Sequence, residues 1–116
     1  MNRKLWMALA VMILAGGLAH ADKLWLDDLD KGIEKAKAED KFILLNFSGS
    51  DWCGWCIKLE DEVFSKKEFK TYAQSNLICV VLDFPRSKPQ SKKVRERNNA
   101  LMNKYGIRGF PTVLIL

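Results

Sequence analysis

The stretch Phe42-Ile43-Leu44-Leu45-Asn46-Phe47-Ser48-Gly49-Ser50-Asp51-Trp52-Cys53-Gly54-Trp55-Cys56 runs from an apolar segment, through four turn-forming residues, into two cysteines three positions apart. Residues 42–47 are too few for a helix, are rich in strand formers and lack the alternation of a half-exposed strand. They read as a central strand buried on both faces. The four residues 48–51 have the composition of a turn, and Ser50 or Asp51 is placed to accept backbone N–H bonds at the start of a helix. Cys53 then falls on the first helical turn, where unpaired N–H groups and the positive end of the backbone dipole favour thiolate. Cys56 lies on the same helical face, within reach to form or break a disulfide with Cys53. The pair reads as a redox dithiol.

Outward from this stretch, helices and strands alternate. Upstream, residues 27–39 read as a short amphipathic helix, with Leu29, Ile33 and Ala36 at spacings of four and three, Asp27, Asp28 and Asp30 early, and Lys35 and Lys37 late. Downstream, the helix opened by Cys53 continues through Leu59 and Val63. A further helical segment over 66–74 buries Phe69 and either Tyr72 or Ala73. Residues 77–84 form the next strand, ended by Pro85, which has no N–H to donate. A loop over 86–92 leads to a helix over 94–105 with Val94, Asn98, Leu101 and Tyr105 on one face and Gly106 as its stop. Residues 112–116 are a third strand. The order indicates an α/β layer structure with the first two strands parallel. The sequence stops within Val113-Leu114-Ile115-Leu116, an apolar strand without a covering helix, which leads us to expect a C-terminally truncated coding sequence.

The first residues are not read as fold. Asn2-Arg3-Lys4 is a short basic region, residues 5–18 are apolar, and Ala19-His20-Ala21 fits a small-x-small cleavage site. We therefore expect a signal peptide over 1–21, cleaved after Ala21, and one domain over 22–116 that is periplasmic or secreted. The alternative, an uncleaved anchor, is disfavoured because the apolar stretch is shorter than the roughly 20 residues a span needs and contains Gly16-Gly17. No stable membrane insertion is expected after cleavage. The formal charge is +5, to which Arg3 and Lys4 contribute two. Arg86, Lys88, Lys92, Lys93, Arg95 and Arg97 form a basic stretch without interleaved aromatic residues, which reads as a solvated face rather than a nucleic-acid site. Cys79 lies in an apolar run and reads as core. A zinc site lacks ligands, since the single histidine, His20, is in the signal peptide, and haem attachment lacks the histidine that Ile57 replaces. Neither metal nor cofactor is expected.

Two separated signatures, the Trp-Cys-Gly-Trp-Cys at 52–56 and Tyr105-Gly106-Ile107-Arg108-Gly109-Phe110-Pro111-Thr112, resemble the thioredoxin-like family. The resemblance runs from about residue 27 to residue 116, and the family's last strand and C-terminal helix would follow Leu116. Residues 56–64 are more similar to exported thioredoxin-like domains, including the C-terminal domain of the membrane disulfide-interchange reductase, than to cytoplasmic thioredoxin. The resemblance implies a thioredoxin-like fold and a thiol–disulfide oxidoreductase acting on protein disulfides or thiols through Cys53 and Cys56, recharged by a membrane or exported redox partner. It also implies that Pro111 is cis, with Phe110 beside the dithiol and its backbone free to pair with substrate. Trp52, Gly54 and Trp55 would shape the substrate-facing rim, although packing is an equal reading for each tryptophan. Thioredoxin has a buried aspartate where this sequence has Asn46, which takes no proton at neutral pH. Glu60, one helical turn after Cys56, is the replacement that exported relatives suggest. The competing reading is a redox-inactive binding module in which Cys53–Cys56 is a structural disulfide.

Overall fold

Residues 42–48 form the strand on which the sheet is built, and every one of them except Phe42 is buried. The computed structural model describes residues 23–116; the signal peptide expected over 1–21 lies outside the described residues. The elements in order are β1 (Trp25–Leu26), α1 (Leu29–Glu39), β2 (Phe42–Ser48), α2 (Gly54–Leu59), a π-helical turn (Glu60–Phe64), α3 (Lys67–Asn76), β3 (Leu77–Asp83), α4 (Lys92–Lys104) and β4 (Thr112–Ile115). The sheet order is β1-β3-β2-β4. β2 runs parallel to β3, from Phe42 opposite Leu77 to Ser48 opposite Asp83, and antiparallel to β4, from Leu44 opposite Ile115 to Phe47 opposite Thr112. β1, which pairs parallel with β3, was not foreseen: two residues carry no readable period.

Alternation along β2 serves two cores. Ile43, Leu45 and Phe47, with Ile78, Val80 and Leu82, pack under α1 through Leu29 and Ala36 and against Leu101, Met102 and Tyr105 near the end of α4. Leu44 and Cys79 face the other way, onto Phe64 and Ala73 with Trp25, Leu59 and Phe69 beside them. The α1 contact is close. A Cβ on Gly32 would stand 2.6 Å from Val80 Cγ2, so glycine is what lets this helix approach the sheet.

Side-chain caps set the helix ends. α1 begins two residues later than the acidic run suggests, because Asp28 stays extended and accepts the N–H groups of Asp30 and Lys31. α4 begins earlier than expected, because Ser91 caps it through the Val94 N–H. Gly106 follows α4 with φ of 64°, the left-handed conformation that ends a helix.

The expected continuous helix from Cys53 to Val63 is corrected in its second half. The Ser65 N–H reaches the Glu60 carbonyl at 2.8 Å, five residues back, so the turn holds one residue more than an α-turn. The inward position moves along by one. Phe64 is 4% exposed, whereas Val63, expected on the buried face, is 42% exposed. In α3 it is Ala73 that is buried, and Tyr72 faces solvent. Among the described residues no helix is long and apolar enough to cross a membrane.

Candidate active site

α2 starts at the dithiol, but its cap is not the expected one. Cys53 itself is the N-cap: its Sγ accepts the Cys56 N–H at 3.2 Å, and its carbonyl accepts the Ile57 N–H at 3.0 Å. Cys53 and Cys56 are joined in a disulfide with their Cα atoms 5.2 Å apart. The Gly49 N–H donates to Cys56 Sγ at 3.5 Å. Each sulfur therefore has a backbone donor aimed at it, an environment that favours negative charge once the bond is reduced.

Ser50 and Asp51, released from capping, tie the loop after β2 to the end of β3 and the loop that follows it. Ser50 donates its N–H to Asp83 Oδ1 at 2.9 Å and its hydroxyl to Asp83 Oδ2 at 2.6 Å. Asp51 accepts the backbone N–H groups of Arg86, Ser87 and Lys88 at 2.9, 2.7 and 2.8 Å. These bonds, that from Arg86 foremost, hold its carboxyl below the usual carboxylate value.

Trp52 closes the joint between the loops. Its indole N–H donates to the Phe84 carbonyl at 2.7 Å, its ring meets Phe110 edge-on at 5.6 Å, and the Arg86 guanidinium carbon lies 3.7 Å from the ring centre. The ring also rests on Gly49, where a Cβ would overlap it. Trp52 is thus a packed, half-buried residue. Trp55 is the open one, 71% exposed, with Lys58 Nζ 5.3 Å from its ring centre. Gly54 is exposed with open space where a side chain would stand. The Phe110–Pro111 peptide is cis. Pro111, Trp55, Leu59 and Val63 contribute to an open, mainly apolar groove of about 390 Å³.

Behind the disulfide lies a cavity of about 300 Å³ lined by Asn46, Ser48, Ser50, Cys56, Ile57, Glu60 and Asp61. Asn46 is 7% exposed and its Oδ1 is buried with no hydrogen-bond partner. The structure thus brings Asn46, Glu60 and the second cysteine to one space. Ser48 and Asp61 share it and were not anticipated. Ser48 is marked in the sequence only as a turn residue, and Asp61 lies five positions from Cys56, outside the usual helical spacings. Cys79 is remote, buried in β3, and burial pushes its thiol up to about 11. Among the described residues no three His, Cys, Asp or Glu side chains are grouped to hold a metal ion.

A family model described as thioredoxin-like matches residues 24–116. The chain is 36% identical over 99 residues to "Disulfide bond reductase DsbH" of Chlamydia pneumoniae, covering 85% of this chain and 59% of that protein. It is 33% identical over 93 residues to "Thioredoxin-related protein DsbJ" of the same organism, covering 80% of this chain and 27% of that protein. The chain thus spans little more than half the length of the first relative and about a quarter of the second. A solved DsbH oxidoreductase structure matches with a TM-score of 0.75 at 36% identity, over 86% of this chain and 69% of that one. A thioredoxin from Thermus thermophilus, 16% identical, shares the fold with a TM-score of 0.59 over 79% of this chain and 62% of its own. With the family model spanning both cores, the dithiol and the cis-proline segment, the chain belongs to the thioredoxin-like family.

Proposed function

We propose that the protein is a thiol–disulfide oxidoreductase acting on protein disulfides outside the cytoplasm, with residues 1–21 as its signal peptide and 22–116 as its working domain. The observation that carries this reading is the Cys53–Cys56 disulfide at the start of α2, each sulfur facing a backbone N–H. The name of the reductase relative favours the reducing direction.

In that direction the Cys53 thiolate attacks one sulfur of a substrate disulfide, forming a mixed disulfide and expelling the first substrate thiolate. The Cys56 thiolate then attacks Cys53 Sγ, expels the second and leaves the protein oxidised. Two electrons pass to the substrate. Glu60 receives the Cys56 proton within the shared cavity, in the role that Asn46 does not fill. The Phe110 backbone and Pro111 hold the substrate segment, and Trp55 and Gly54 form the rim. A membrane or exported redox partner returns the dithiol to its working state.

The decisive experiment expresses Cys56→Ser in the native compartment and isolates mixed disulfides. Substrates and the redox partner should be held on Cys53, and Cys53→Ser should hold none. An apparent Cys53 pKa near the unperturbed ~8.5 together with no catalysis of disulfide reduction would instead identify an inert module. For Glu60, the expected result is that Glu60→Gln shifts the pH profile of thiol exchange while leaving the melt unchanged. An unaltered profile removes the assigned role.

A further inference from the structure

We propose that Arg86 is a specificity-determining residue that binds an acidic side chain beside the reacting disulfide of the substrate. The proposal rests on the oxidoreductase reading above and adds a substrate preference to it. The basic stretch beginning at Arg86 is not uniform in the structure. Arg97 turns inward, donating to Asp28 Oδ2 at 3.3 Å and to the Asp27 carbonyl at 2.9 Å, and Lys92 pairs with Glu96 at 3.8 Å along α4. Arg86 instead lies on Trp52, the residue immediately before the attacking cysteine.

Its charge rests on one ring, and the fold fixes both that ring and the Arg86 backbone. Its backbone N–H is bound by Asp51, the ring beneath it is locked by the indole bond to Phe84, and that ring is buttressed by Phe110, the residue before Pro111. The nearby carboxylates are already engaged: Asp51 by three backbone amides, Asp83 by Ser50 and by Lys88 at 4.0 Å. Among the described residues no acceptor lies within bonding distance of the Arg86 guanidinium. A guanidinium seated on an aromatic face keeps its planar fork of donors available, and that fork matches a carboxylate. A substrate chain passing Phe110 and Cys53 therefore meets a pre-positioned, unneutralised cation. The fold has already met part of its ordering cost by seating it on the ring.

The test uses the protein reduced and freed of reductant, with three synthetic peptides of equal length. Each is closed by one internal disulfide, and they differ only in carrying Glu, Gln or Lys beside the cysteines. Single-turnover reduction is followed by tryptophan fluorescence. The Glu peptide should be reduced about fivefold faster than the Gln peptide, and the Lys peptide more slowly than either, as for one exposed charge contact. Added salt at about 0.5 M should compress the series. Arg86→Gln should bring the Glu peptide to the Gln rate without altering the Gln rate, and Arg86→Glu should reverse the order. Equal rates for the three peptides with the wild-type protein would overturn the proposal while leaving the oxidoreductase reading intact. A uniform slowing of all three by Arg86→Gln would also overturn it, since the residue would then act on the dithiol or the fold. Failure of the wild-type protein to reduce any peptide would overturn both readings.

Discussion

Asp51 stands two positions before the attacking cysteine, yet its carboxylate is turned away from the helix, towards the amides of residues 86–88. Its carboxyl is held below its ordinary 3.8, and the sign follows. A carboxyl lowered by folding contributes stability that is complete above the ordinary value and is lost as pH falls through the lowered one. The 86–88 amides should therefore lose hydrogen-exchange protection as pH falls below 3.8, ahead of global unfolding. Asp51→Ala should show the same loss at neutral pH, and unchanged protection there would remove the assigned tether. The sequence offers Ser50 or Asp51 as the cap because Ser and Asp before a helix commonly serve that purpose. Cys53 displaced it by accepting the Cys56 N–H itself.

At the level of elements, the π-helical turn sets what the segment after the dithiol buries. Cys56, Leu59 and Val63 match an α-helical face in the sequence, but the added residue at 60–64 passes the inward position to Phe64. Phe64 then meets Trp25 at 5.0 Å and Phe69 at 4.9 Å. Phe64→Ala should cost about 3–5 kcal/mol in a urea melt, and Val63→Ala about 0.5 kcal/mol or less. The reverse order would restore the α-helical register. A period of three and four cannot reveal this, because one wide turn changes the count by a single residue and is stabilised by aromatic partners on β1 and α3. The caps of α1 and α4 moved helix ends by a residue or two for a similar reason. Composition marks Asp28 and Ser91 as candidates, and only geometry separates the cap from the first helical residue.

For the whole molecule, a sheet covered on both faces places Cys79 beyond exchange with the dithiol. Burial raises its thiol to about 11, so the native oxidised protein should not react with a thiol reagent at neutral pH and should expose one thiol per chain on unfolding. A thiol titrating in the native state would contradict that burial. Legible in the chain alone are the alternation of helices and strands from α1 onward, though not β1, together with the doubly buried β2, the core position of Cys79 and the dithiol at a helix start. Each of these follows from interactions among residues close in the chain: apolar run length, side-chain period and the N–H groups of a helix's first turn. The tertiary structure alone decided the β1-β3-β2-β4 order, the antiparallel seat of β4, the cavity shared by Asn46, Cys56 and Glu60, and the placement of Arg86 on Trp52. Those depend on which distant segments meet, and that choice is made by packing both faces of one sheet at once, a constraint no local window of sequence contains.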